Sequence, residues 1–483
     1  MKSNMFAWLC ATVITASPLG LSVAADMVSE SVPSTVVQDT SSTVAGTNRL
    51  TGNAMNIASG IVNSVEKGQR SDAILGITNL TTVYGDGQMV SAIAIEYPSK
   101  VKQSALSQET YAIAGKEIEA VYVNDDPQVS DKHNKKSGKY VIVEFKHTNS
   151  VPFTLTQKPR NNEGESAQKN DGPKDASMRS DRQLPNLSTQ VEQLAPILAK
   201  NGVIYGPTQG AISNTTVAPS IIDEFKTYHY TDESIGATMP YNIYLPKNYD
   251  PNKTYPLYVF IGDASTNINN DKAVLFQGNG ATIFATSEEQ TKHEAIILAP
   301  QYTQDLVDQL GMMTTDENKW TTGLQLVTNL INHVIDTYPV DTNRIYGSGQ
   351  SQGGMANIAI SDRYPSLFTA QFLVACQWNT DEMKALKDKK LWILVSEGDT
   401  KAYPAMNIAT KNWEELGTKV ARSNMWNSYS TPTEFNALVK STEAQNARIN
   451  YSVFEGGSHM YTWSVAYTIE GIRDWLFSQT KAE

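Results

Sequence analysis

Cysteine is nearly absent, with two in 483 residues. Cys10 falls inside an N-terminal stretch that reads as a removable signal, so Cys376 is expected to be the only thiol of an exported chain. That excludes an intrachain disulfide and a cysteine-built metal cluster. Cys376 ends the apolar run 372–375 and reads as a buried small hydrophobe. Long apolar runs are scarce too, and beyond the N-terminal stretch none is long enough to span a bilayer. Positive charge is short: 39 Lys and Arg face 50 Asp and Glu, a formal net charge of −11. With no dense basic cluster to interrupt it, nucleic acid and anionic membrane surfaces are poor partners. His-Glu-x-x-His and a phosphate-binding glycine loop are also missing, so no metal and no organic cofactor is expected.

What is present falls into segments. Residues 1–25 carry the signal pattern: Lys2 before an apolar stretch, 6–14, and small residues at Ser22-Val23-Ala24-Ala25. The mature protein is therefore expected in the periplasm or outside the cell. Residues 26–70, rich in Ser, Thr, Val and Asn without a period, read as a flexible leader. From 71 to 155 short alternating runs, clearest at 88–97, 118–124 and 140–147, predict a small β-sandwich of immunoglobulin type, without the paired cysteines of antibody domains. Residues 156–220 read as a polar linker followed by a connection. From 221 to 483 strands alternate with helices: strands at 222–230, 239–245, 256–261, 295–299, 344–346, 372–375, 391–395 and 449–454, helices at 323–338, 355–363 and 465–479. That order predicts an α/β domain on a mostly parallel, doubly wound sheet.

The chemistry is concentrated at Gly349-Gln350-Ser351-Gln352-Gly353, between a strand and a helix. Gly-x-Ser-x-Gly in that setting is a nucleophile elbow, a strained turn that exposes the serine while small flanking residues let strand and helix approach closely. The elbow demands an acid and then a histidine further along the chain. Of six histidines only His459 follows Ser351, in the glycine-rich loop Glu455-Gly456-Gly457-Ser458-His459 after an apolar strand. The acid is expected at the end of strand 391–395, where Asp399 is the first choice and Glu397 the alternative. Asp399 would hold the imidazole in the right tautomer and stabilise the imidazolium.

The region from about 223 to 478 resembles the α/β-hydrolase esterases often labelled predicted peptidases, which are similar to feruloyl-esterase and polyhydroxybutyrate-depolymerase-like enzymes. The resemblance rests on Tyr241-Asn242-Ile243-Tyr244-Leu245-Pro246, Leu298-Ala299-Pro300-Gln301-Tyr302, the elbow with Gly354-Met355, Tyr364-Pro365-Ser366-Leu367-Phe368, and Ser396-Glu397-Gly398-Asp399 with Ala402-Tyr403-Pro404. Some members carry an N-terminal immunoglobulin-like domain. The resemblance implies a serine carboxylic-ester hydrolase without cofactor, with the triad on Ser351, Asp399 and His459. A serine peptidase with the same triad and a non-catalytic binding protein on this fold are the alternatives. Its partner would be a small-molecule or polymer-linked ester, and a homo-oligomer is compatible with the reading.

The chain departs from the family where His-Gly usually follows the first central strand and Gly262-Asp263-Ala264-Ser265 stands here. The oxyanion hole is expected from the Gln352 N–H and one N–H of Asp263 or Ala264, provided the Asp263 carboxylate points away or is paired. The gap between Cys376 and Leu391 is too short and polar for a lipase-type lid, so an open site for short-chain or aryl esters is expected. Tyr302, Trp378 and Trp463 are the aromatic candidates to line it. Residues 403–448, with Trp413 and Trp426, are long enough to form a small cap.

Overall fold

The computed structural model describes residues 73–151, 153 and 184–481. The segments expected as signal and leader, and most of the stretch expected as polar linker, lie outside these residues.

The first domain is built on a β-hairpin. β1 (Gly76–Tyr84) and β2 (Gly87–Lys102) pair antiparallel across the two-residue turn Gly85-Asp86. β4 (Ile118–Asn124) and β5 (Ser137–Phe145) extend the sheet, and β10 (Thr216–Val217) closes it in the order β10-β1-β2-β5-β4. Along β2 the side chains alternate as pleating requires. Ile93 and Ile95 join one buried cluster with Ile77, Val141 and Val143, while Ala92 and Ala94 join a smaller cluster on the other face.

A second layer covers the larger cluster. β3 (Tyr111–Ile113), β6 (Gln190–Gln193) and β9 (Ile212–Ser213) form one sheet, and β7 (Ile197–Leu198) and β8 (Ile204–Tyr205) another. The layers are joined by buried hydrogen bonds, from Tyr97 Oη to Gln193 Oε1 at 2.8 Å and between the Tyr97 and Tyr111 hydroxyls at 2.9 Å. Residues 187–220, expected as a connection, thus supply strands to this sandwich. Strands of two to four residues are too short to show a period, yet without them the apolar face of the larger sheet would lie bare.

The second domain is a nine-stranded sheet in the order β11-β12-β14-β13-β15-β16-β17-β19-β18. Its strands are β11 (Lys226–Asp232), β12 (Ala237–Tyr244), β13 (Tyr255–Ile261), β14 (Ile296–Pro300), β15 (Val340–Gln350), β16 (Ala370–Val374), β17 (Leu391–Ser396), β18 (Val420–Arg422) and β19 (Ile449–Phe454). β11 and β12 are antiparallel, and from β14 onward neighbours are parallel. Helices α1 (Ala273–Phe276), α2 (Ser287–Lys292), α3 (Gln304–Leu310), α4 (Thr322–Thr337), α5 (Gln352–Arg363), α6 (Ala402–Glu415), α7 (Pro432–Glu443), α8 (His459–Ala466) and α9 (Glu470–Phe477) flank it. Leu257, Val259 and Ile261 of β13 pack with α4, α5 and α6, and Tyr258 and Phe260 pack with α1, α7, α8 and α9. Both faces are therefore covered, which is why the parallel strands read as continuous apolar runs.

Three expectations change. Residues 221–224 form a 3-10 turn closed by a Ser220–Asp223 capping box, and the strand begins at Lys226. The helix expected over 465–479 breaks at 467–469 into α8 and α9. The stretch 403–448 is no cap: it adds α6, β18 and α7 to the edge of the sheet, with Trp413 and Trp426 fully buried. The Trp413 indole donates to Met383 O at 2.6 Å. The indole N–H groups of Trp392 and Trp426 are buried without a hydrogen-bond partner among the described residues. Each such orphan costs about 1–3 kcal/mol. Burying about 150–250 Å² of indole at about 25 cal/mol per Å² returns about 4–6 kcal/mol, so packing wins.

Candidate active site

β15 runs into Ser351, which sits at φ 50° and ψ −120° as the N-cap of α5. Its N–H donates to Val374 O at 3.1 Å, and its carbonyl accepts from Met355 N at 2.9 Å. Both backbone groups are thus held by the fold, and the hydroxyl makes no cap bond. The glycines are required by close approach. A Cβ on Gly349 would lie 2.5 Å from Gly353 C, and one on Gly353 would lie 1.8 Å from Ile261 O.

His459 Nε2 lies 2.9 Å from Ser351 Oγ, and His459 Nδ1 lies 2.5 Å from Asp399 Oδ2. The histidine opens α8, where Ser458 Oγ caps the helix by accepting from Tyr461 N at 3.2 Å. Its ring is 34% exposed, against 2% for the Asp399 side chain. Asp399 Oδ1 accepts from the N–H groups of Lys401 and Ala402, both at 3.0 Å, at the start of α6. Burial works to raise the Asp399 carboxyl, but the His459 contact and these two amides outweigh it and leave the group below the usual carboxylate range. The alternative acid, Glu397, is exposed and accepts from Gly456 N at 3.1 Å, pinning the loop that leads to His459. The two loops touch closely enough that a Cβ on Gly398 would lie 2.0 Å from Gly457 O.

The Gln352 N–H belongs to the first residue of α5 and has no intrahelical acceptor, as at any helix N-terminus. Asp263 and Ala264 open a short 3-10 turn beyond β13. The Asp263 carboxylate is fully engaged: Oδ1 accepts from Ser265 N at 2.6 Å, and Oδ2 accepts from Gln277 Nε2 at 2.7 Å and Gln350 Nε2 at 2.9 Å. Pairing with three donors meets the condition that the sequence set for an acid at this position.

All three aromatic candidates are buried core side chains, and they differ in what they touch. Trp463 meets His459 edge to face, with ring centroids 5.0 Å apart. Tyr302 and Trp378 are core side chains, with Tyr302 donating to Gly311 O at 2.8 Å and the Trp378 indole to Glu382 Oε2 at 2.6 Å. Sequence reasoning missed the amides around the elbow. Gln301, beside Tyr302, donates to Thr266 O at 2.6 Å and accepts from Val274 N at 2.8 Å, tying the 264–266 turn to β14. Asn267 Nδ2 donates to Gln352 Oε1 at 3.2 Å. The traces of these roles in the sequence are the pair of glutamines flanking Ser351 and Gln301 within the stretch 298–302.

The sandwich reaches this site. Asn149 Nδ2 donates to Ser464 Oγ on α8 at 2.6 Å, and the Phe153 ring packs 5.0 Å from that of Tyr461. Burial pushes the Cys376 thiol up, which keeps it protonated and inert beneath Gly354. No helix among the described residues is long and apolar enough to cross a membrane.

A serine at a strand-to-helix elbow on a mostly parallel sheet, in reach of histidine and aspartate, defines the α/β-hydrolase class. The chain belongs to the esterase family: the family described as "Putative esterase" matches residues 232–475, and "Esterase Ig-like N-terminal domain" matches residues 76–206. It is accordingly a carboxylic-ester hydrolase with an immunoglobulin-like N-terminal domain. No curated protein matches the sequence. Among solved structures, a thermostable esterase is similar in fold, with a TM-score of 0.64 at 22% identity over 84% of this chain and 100% of that one. A feruloyl esterase module from Clostridium thermocellum complexed with sinapinate matches at TM-score 0.35 and 14% identity, over 54% of this chain and 90% of that one. A ferulic acid esterase from Anaeromyces mucronatus matches at TM-score 0.34 and 13% identity, over 53% and 90%. At that distance neither of the last two bears on the substrate.

Proposed function

We propose that this esterase is exported and hydrolyses short-chain or aryl esters through Ser351, His459 and Asp399 by way of an acyl-enzyme. The observation that carries the reading is the unbroken hydrogen-bonded path from Ser351 Oγ through the imidazole to Asp399 Oδ2, with steps of 2.9 and 2.5 Å. In the first half-reaction His459 Nε2 takes the Ser351 proton as Oγ attacks the ester carbonyl, then returns it to the leaving alcohol. Water repeats the cycle on the acyl-enzyme. Asp399, held by two amides, keeps Nδ1 protonated so that Nε2 is the base. The Gln352 N–H and one from Asp263 or Ala264 receive the developing oxyanion, and the Asp263 carboxylate is spent on Gln277 and Gln350 rather than opposing it.

The test is labelling of the purified protein with a fluorophosphonate probe, alongside hydrolysis of p-nitrophenyl acetate and a matched anilide. Wild type is expected to label and to cleave the ester far faster than the amide. Ser351→Ala should lose labelling and at least about 10⁴-fold in kcat, with His459→Ala about as damaging because triad members act as a unit. A Ser351→Ala protein that still labelled would end the assignment of this serine, and preference for the anilide would favour a peptidase. Export is tested by N-terminal sequencing of the secreted protein, expected to start near residue 26.

A further inference from the structure

On the sheet face that carries α9, Glu289, His293 and Asp474 each offer one ligand atom, all within 4.8 Å of one another. We propose that this trio binds one divalent transition-metal ion, with zinc the best fit, and that the ion clamps the C-terminal helix α9 to α2.

Glu289 and His293 are four residues apart and so share one face of α2 and its C-cap. Asp474 comes from α9. The Glu289 side chain is 2% exposed. Its Oε2 accepts from Arg473 Nε at 2.9 Å, whereas Oε1 is buried with no hydrogen-bond partner among the described residues. That orphaned carboxylate oxygen faces His293 Nε2 across 3.9 Å, and the same nitrogen is 2.7 Å from Asp474 Oδ1. Buried charged oxygens are rarely left unsatisfied, and a cation at this point would satisfy this one.

The dimensions fit. A tetrahedral zinc with bonds of about 2.0–2.1 Å to nitrogen and oxygen needs ligands about 3.3 Å apart. The His293–Asp474 and His293–Glu289 separations, 2.7 and 3.9 Å, bracket that value, and the Glu289–Asp474 pair lies within 4.8 Å. An imidazole with two carboxylates suits zinc or cobalt better than magnesium or calcium, which prefer all-oxygen shells.

The ligands are also oriented from behind. Arg473 holds the Glu289 carboxylate while its Nη1 donates to Tyr467 O at 2.7 Å. The His293 ring is stacked on Phe477 with centroids 4.8 Å apart. Such support fixes ring and carboxylate before the ion arrives. The Asp474 side chain is 50% exposed, which gives the ion a way in and leaves water as the fourth ligand. The adjoining Lys292–Glu470 ion pair already joins the same two helices, so the ion has only to displace the His293 Nε2–Asp474 Oδ1 hydrogen bond within the trio.

The test uses the full chain, stripped with EDTA and titrated with zinc sulfate by calorimetry. One tight equivalent is expected, with the melting temperature rising by about 5 °C once zinc exceeds its Kd about a hundredfold. Asp474→Asn and His293→Gln should each abolish that equivalent and the thermal shift while keeping ester hydrolysis within about twofold of wild type, which shows that they fold. Cobalt in place of zinc should give the visible absorption of a four-coordinate site, lost in both variants. Absence of tight zinc binding, or binding undiminished in both variants, would overturn the proposal.

Discussion

Ser351 is held at φ 50° and ψ −120°, a conformation that costs a residue bearing a Cβ about 1–3 kcal/mol. Replacing it with alanine leaves that strain in place, whereas glycine removes it and adds the flexibility of the unfolded chain, worth about 0.5–1 kcal/mol in the other direction. Ser351→Gly is therefore expected to be more stable than Ser351→Ala by about 1 kcal/mol, although both lack activity. Denaturant melts of the two inactive variants decide it, and a Ser351→Gly protein less stable than Ser351→Ala by about 0.5–1 kcal/mol, the flexibility cost alone, would mean the elbow stores no strain. Asp399 gives a second prediction at this scale. Its folded pKa lies below the ordinary value of about 3.9. The carboxylate therefore contributes stability that is fully present above that value and is lost as pH falls through the lower, folded one. The stability difference between wild type and Asp399→Asn should accordingly shrink on acidification from about pH 5 to below about pH 4. A difference that stayed constant over that window would show that the aspartate is not held as a carboxylate by its partners.

At the scale of elements, the helix that begins with His459 is gripped from both ends. Its first turn is capped by Ser458 and drawn toward Asp399, and near its far end Ser464 lies under the β1–β2 turn of the sandwich. A Cβ on Gly85 would lie 2.2 Å from Ser464 O, so only glycine permits this approach. Gly85→Val should push the turn off α8. We expect about 1–3 kcal/mol of lost stability, the usual cost of forcing atoms into a packed contact. A fall in kcat larger than any change in KM should accompany it, because a displaced α8 carries the histidine with it. A variant with wild-type melting temperature and kcat would show that the sandwich merely rests against the helix.

For the molecule as a whole, access to Ser351 follows from how the insertions are used. Between β16 and β17 lies a short 3-10 turn, Glu382–Asp388, whose Met383 and Leu386 are buried in the core, and the segment after Asp399 builds the sheet edge. Neither places an apolar flap over a histidine that is 34% exposed. Hydrolysis should therefore peak at acetyl to butyryl p-nitrophenyl esters and fall for long acyl chains, with no activation at an oil–water interface. A chain-length series with its maximum at octanoyl or beyond would contradict the open site.

Local signals sufficed for what depends on local chemistry. Strong apolar runs marked the parallel strands because both faces of the sheet are covered. Gly349 and Gly353 marked the elbow because close approach tolerates nothing larger, and the lone downstream histidine is the one whose Nε2 lies 2.9 Å from Ser351 Oγ. The acid was less determinate in the sequence, since Asp399 and Glu397 differ by two positions on one turn. Only the folded chain assigns them different partners, His459 for one and Gly456 N for the other. The same holds for Asp263, whose charge looked adverse until Gln277 and Gln350 were brought to it from elsewhere in the chain. The five short strands after residue 187, the burial of Tyr302 and Trp378, and the meeting of Glu289 and His293 with Asp474 belong to the tertiary structure alone. Each joins residues far apart in sequence, and no period, spacing or motif in a linear chain records which distant side chain will supply a missing donor, cover an apolar face or complete a set of ligands.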